Sequence, residues 1–168
     1  MTTKLNATRL ECRLTPTVIT VNSVLDTVAV DGVVTLREAI LAANTNTAVG
    51  DAPAGTPSTS VTPDEIRFNL PAGSGPIVVT GTVLPAITES MSILGGTQPG
   101  YAGSPLVSIA SQGTYGTPTS RLPVGLRLEG HTGSTIQGLY IVGFDQYQVS
   151  IDRAASSTVA TGQHQLLS

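Results

Sequence analysis

Apolar residues along this chain come in short runs, and the period of those runs switches from two to helical and back. Thr17-Val18-Ile19-Thr20-Val21 is β-branched at every position and is followed by Asn22 and Ser23, which predicts a strand closed by a turn. Thr35-Leu36-Arg37-Glu38 has the form of a capping box, in which the Thr hydroxyl and the Glu carboxylate each satisfy an orphan backbone N–H. Leu36, Ala39, Ile40 and Ala43 then share one face. The pattern predicts a helix over 35–44 stopped at Asn44, too short to hold without a packing partner. From Asp64 onward short runs return: Ile66-Arg67-Phe68, Ile77-Val78-Val79, Met91-Ser92-Ile93-Leu94, Leu106-Val107-Ser108-Ile109 and Leu126-Arg127-Leu128, separated by Gly, Pro and Asn. Between the two regions, 45–63 is rich in Thr, Ala, Gly, Pro and Ser with Asp51 as its one charge, which predicts a long flexible surface loop.

Many short strands without intervening helices leave a sandwich, a barrel or a solenoid, and only a solenoid must repeat at a fixed offset. At offset 23, Leu126-Arg127-Leu128-Glu129 falls on Val149-Ser150-Ile151-Asp152, and Ser134-Thr135-Ile136 falls on Ser157-Thr158-Val159. The repeat then fails, because Leu139 and Ile141 project onto Gly162 and His164. The reading is therefore an all-β solenoid of about 23 residues per coil whose last coil is half-made. The strand around Val149 and Ile151 would leave an unpaired edge able to drive self-association.

Composition narrows the function classes. The 168 residues are 40% hydrophobic, enough for a core, but only 11% charged, less than half of the roughly 25% of an average domain. A net charge of −3 supplies no basic surface for nucleic acid or anionic lipid. One cysteine, Cys12, forms neither an internal disulfide nor a multi-cysteine metal site. No run of about eighteen apolar residues spans a membrane, and 1–16 lacks the apolar stretch of a conventional signal peptide.

The segment Val34-Thr35-Leu36-Arg37-Glu38-Ala39-Ile40-Leu41-Ala42-Ala43-Asn44 resembles the amino-terminal Cys-Ser-Leu-Arg-Glu-Ala cap motif of bacterial surface proteins with a pectate-lyase-like fold, with Val34 and Thr35 standing where the motif has Cys-Ser. Leu84-Pro85-Ala86-Ile87-Thr88 with Gly96-Thr97-Gln98-Pro99-Gly100-Tyr101-Ala102-Gly103-Ser104-Pro105 is similar to that family's first turns, and 125–141 resembles its repeating coil. Arg9-Leu10-Glu11-Cys12-Arg13-Leu14-Thr15-Pro16 is similar to a leader motif of planctomycete exported proteins, Cys12 replacing an acid or amide. The resemblance implies a right-handed, single-stranded parallel β-helix with one short capping α-helix. It divides the chain into a leader over 1–16, cap and first coils over 17–160, and a frayed tail over 161–168. It also implies an extracellular or cell-envelope address and a non-catalytic scaffold or adhesion module that meets a polysaccharide or another cell-surface ligand. The alternative is a fragment of a polysaccharide lyase or glycoside hydrolase acting on acidic polysaccharide.

The residues offer few sites for chemistry. If Leu126 and Leu128 point inward, Arg127 and Glu129 point out, and offset 23 sets Glu129 beside Asp152 at the strand spacing of about 4.8 Å. Two carboxylates so placed are either a calcium site or a solvated acidic face, and with only Asp145 and water as further oxygens the second reading is favoured over the six to eight ligands calcium takes. Arg127 and Arg153 could serve a lyase, and Glu129 with Asp145 or Asp152 a glycosidase, but no spacing singles them out. His131 falls in a Gly-His-Thr-Gly turn expected to be exposed, and His164 in the tail. Tyr101, Tyr115, Tyr140 and Tyr147 are the possible sugar platforms, with Tyr140 facing out between Leu139 and Ile141. Gly95-Gly96 with Gln98-Pro99-Gly100 is expected to make a tight corner and not a ligand loop, glycine supplying positive φ and Pro99 fixing its own.

Overall fold

The computed structural model of the chain describes residues 15–57, 62–113, 121–152 and 158–160. Ten strands and one helix occur among them. They follow as β1 (Val18–Val21), α1 (Leu36–Thr45), β2 (Asp64–Phe68), β3 (Ile77–Val79), β4 (Met91–Leu94), β5 (Val107–Ser111), β6 (Val124–Glu129), β7 (Thr135–Gln137), β8 (Leu139–Val142), β9 (Tyr147–Asp152) and β10 (Thr158–Ala160), with a 3₁₀ turn at Gly95–Thr97 after β4. No helix among the described residues is long and apolar enough to cross a membrane.

All strand pairs are parallel, in three separate small sheets ordered β1-β2-β4-β7-β10, β3-β5-β8 and β6-β9. In the first, Ile19, Ile66, Ile93 and Ile136 occupy one register row, each completely buried. Ile77, Ile109 and Ile141 form the equivalent row of the second sheet, and Leu126 and Leu128 are the buried positions of β6. These rows and the apolar face of α1 belong to one core. Alternation within each strand makes this possible, because every second side chain lies on the same face.

This arrangement corrects the expected right-handed parallel β-helix of about 23 residues per coil. Thr135 does pair with Thr158, and Leu126 with Val149, at a separation of 23 residues. Elsewhere in the first sheet partners lie 47, 27 and 43 residues apart, and in the second sheet 32. The chain between paired strands thus varies twofold in length, and no coil of constant length closes over the described residues. The cause is the insertion of α1 and its flanking loops between β1 and β2, and of long connections between β4 and β7. The half-made coil expected after β10 concerns Gly162 and His164, which lie outside the described residues, as do residues 1–14 of the leader expected over 1–16.

The helix forms where its sequence predicts it, beginning one residue later and running one turn position past Asn44. Thr35 is the N-cap, the full capping box with Glu38 is present, and Asn46 closes the helix in the left-handed conformation with φ 55°. Leu36, Ala39, Ile40, Ala42 and Ala43 are buried. Glu38 is buried too, because its carboxylate accepts the Thr35 and Ala29 N–H groups, each at 2.9 Å. Gly50 lies so close to the Glu38 carboxylate that a side chain there would collide with it.

The segment expected to be a flexible loop is fastened along its described part. Val49 and Ala52 exchange two backbone hydrogen bonds, Gly55 N–H donates to Ala42 O, and Ala52 is buried. Asp64, fully buried at the head of β2, accepts from Thr17 N–H at 2.8 Å, Thr56 N–H at 2.9 Å and the Thr56 hydroxyl at 2.7 Å. Arg37 completes the scheme: its guanidinium grips Asp26 through two bonds of 2.9 Å and reaches the carbonyls of Thr82 and Val83.

Ile40 sits at the centre of the buried helix face. Ile40→Asp should cost about 3 kcal/mol or more, because it sets an unpaired carboxylate against aliphatic neighbours. Val30→Asp, at a position 85% exposed, should stay within about 0.5 kcal/mol of the parent. Thermal melting of both variants checks the pair; an unchanged melting temperature for Ile40→Asp would show that α1 does not cover the core.

Candidate functional site

The outer face of the β6-β9 sheet carries the acidic pair read from the sequence. Leu126 and Leu128 are buried and Arg127 is exposed, so Glu129 points outward with it. Glu129 and Asp152 are register partners, as are Arg127 and Ser150. The Glu129 carboxylate already takes the Arg127 guanidinium at 3.0 Å, and both side chains remain nearly half exposed. An exposed pair of this kind adds little stability, but it does neutralise one of the two carboxylates. Asp145 does not join them. It stands in the turn before β9, at the opposite end of that strand from Asp152, and lies 4.0 Å from Arg121. Among the described residues no three His, Cys, Asp or Glu side chains gather as metal ligands. Arg153 is outside the described residues.

His131 is only partly exposed, contrary to its expected free turn position, and it is held at both nitrogens. Nδ1 lies 3.0 Å from the carbonyl oxygen of Glu129, an acceptor, so that nitrogen carries the proton. Nε2 lies 2.6 Å from the Ser134 hydroxyl, which donates to it and accepts the Met91 N–H at 3.2 Å. A serine, a histidine and an orienting carbonyl in series have the connectivity of an activated nucleophile. Ser134 is nevertheless 1% exposed, with no room for a substrate at its oxygen. The chain of bonds pins the β6–β7 corner to the start of β4, and Ser90 adds a bond from its hydroxyl to Thr132 O.

Two surface clefts lie among the described residues near these elements. One, of about 260 Å³, lies between residues 83–86 and β6 and is apolar apart from Arg127. The other, of about 430 Å³, is lined by Leu94, Gly96, Thr97, Tyr101, Gln137 and Gly138. Its floor is shaped by glycine for a reason the sequence does not reveal. The expected tight corner is present as the 3₁₀ turn over Gly95–Thr97, but its positive φ lies at Gly100 (89°) and at neither Gly95 nor Gly96. Gly95 is required because its Cα faces the Gly138 carbonyl too closely for any side chain, whereas a Cβ at Gly96 would meet the Tyr101 ring in ordinary contact at 3.4 Å. The wall beside it is held rigidly. The Thr97 hydroxyl donates to Leu94 O at 2.7 Å and accepts the Phe68 N–H at 2.9 Å. The buried Gln98 amide exchanges bonds of 2.8 and 3.0 Å with Leu70, and the Tyr101 N–H donates to Gln98 O.

Of the tyrosines, Tyr140 faces out as expected and Tyr147 is exposed on β9, but neither lines either of these two clefts; Tyr115 is outside the described residues. Comparison with protein-family models, with curated proteins and with solved structures finds no match for this chain.

Calcium should leave the melting curve superimposable on the curve in chelator, since Glu129 is engaged by Arg127 and Asp145 is remote. A rise equivalent to about 2.7 kcal/mol at a hundredfold excess of calcium over its Kd would instead establish a site at Glu129 and Asp152. Ser134→Ala should cost about 1–3 kcal/mol by stranding the Met91 N–H and the His131 ring, measured by denaturant unfolding.

Proposed function

We propose that this chain is a non-catalytic scaffold or adhesion module acting outside the cell or in the cell envelope. The observation that carries the reading is the use made of its buried polar groups. Glu38 and Asp64, the carboxylates with the least exposure, accept two or three donors each, chiefly backbone N–H groups, and so fasten loops. Asp26 is held by Arg37, and Ser134 by Met91 and His131. A general acid or base must be able to exchange its proton with a substrate, and these groups are turned into the fold. The resemblance of 34–44 and 84–105 to capped bacterial surface proteins supports the address, and the low charge of the chain suits an extended neutral surface.

Incubation with polygalacturonate and calcium should release no unsaturated product, and the tagged chain in its native cell should fractionate with the envelope or the medium. Release of product would replace the scaffold reading with that of a polysaccharide lyase; confinement to the cytosol would remove the adhesion role.

A further inference from the structure

We infer that the cleft between the 3₁₀ turn at Gly95–Thr97 and the β7–β8 corner binds an uncharged sugar ring of a glycan chain. This inference names a ligand class for the adhesion role proposed above and rests on that reading. None of the six lining residues is charged, so the cleft offers no counter-ion to a uronate, a sulfate or a phosphate. Arg67, the register neighbour of Leu94 on the adjoining strand, is already engaged by Glu65 through two nitrogens. What the cleft does offer is a tyrosine ring, a leucine side chain and a primary amide. Gln137 is exposed, and its side chain has no hydrogen-bond partner among the described residues. A pyranose presents one apolar C–H face and a rim of hydroxyls, which match an aromatic wall and an amide at its edge.

Rigidity strengthens the match. Thr97 and Gln98 fix the turn that carries Tyr101, and Gly95 and Gly138 keep the floor free of side chains through close backbone approaches. The concavity therefore exists before the ligand arrives, and binding does not have to order it. The other exposed tyrosines lack this setting and serve as internal controls.

The test is saturation-transfer NMR and calorimetry on the full chain with neutral hexasaccharides of glucose, mannose and N-acetylglucosamine, using polygalacturonate as the charged comparison. At least one neutral hexasaccharide is expected to bind weakly. Tyr101→Ala should weaken it by about tenfold or more and Gln137→Ala severalfold, while Tyr140→Ala changes nothing. Melting temperatures of all three variants should match the parent, because these side chains are exposed. Binding to none of the neutral sugars, binding that survives Tyr101→Ala, or preference for polygalacturonate would overturn the inference. Sugar binding by a chain found in the cytosol would uphold the cleft while removing the envelope address.

Discussion

Carboxylates that accept backbone N–H groups are the constraint on which the rest of this structure depends. Parallel strands cannot be joined by tight hairpins, so every pairing requires a long connection, and here those connections have no common length. Something other than repetition must close them. Asp64 ties the start of β1 and the 53–57 segment to the head of β2, Glu38 ties the loop after β1 to the helix, and Asp51 accepts the Asp31 and Gly32 N–H groups at 2.6 and 2.8 Å. A buried carboxylate without such donors would be strongly destabilising, whereas charge-assisted bonds to several donors offset its desolvation. A chain with few charges has placed them where loops must be anchored.

With the connections held, the aliphatic rows stack. Ile19, Ile66, Ile93 and Ile136 align only in the observed register, since a slip of one residue would turn each of them outward. The same register sets the outside. Glu65, Ser92, Thr135 and Thr158 form one outward row, and Arg67, Leu94 and Gln137 the next. The side chains displayed on the sheet faces are thus set by core packing, and the cleft lined by Tyr101 and Gln137 owes its concave shape to a corner where glycines let backbones meet.

How much of this is legible in the sequence depends on the range of the interactions. The helix is legible because a capping box and an apolar stripe act within a few residues, and the individual strands are legible for the same reason. The outward pairing of Glu129 with Asp152 follows from a true local repeat that holds for β6-β9 and β7-β10. Extending that repeat to the whole chain fails because α1 and its loops lie between β1 and β2, where Asp64 and Glu38 fasten the connections, and the later connections differ in length, and a carboxylate leaves no periodic signature. The loop over 45–63 is misread for the same reason: its composition is that of a mobile segment, yet distant acceptors hold its described part. Tyr101 stands out in the sequence as one of four tyrosines, whereas the role of Gly95 depends on contact with Gly138, forty-three residues away, and is visible only in three dimensions.

Two exposed arginines are answered by carboxylates on their own strands before any partner arrives. Arg67 reaches Glu65 and Arg127 reaches Glu129, each two positions along the same strand and therefore on the same face. Such pairs contribute little to stability, but they cancel the local field that would steer a charged ligand. Under the binding role proposed above, discrimination by such a surface would rest on shape and uncharged hydrogen bonds made from rigid positions, because a flexible amide or ring would lose in ordering what it gained in contact. Rigid, uncharged and concave describe one corner of the molecule, where the turn after β4 meets the junction of β7 and β8.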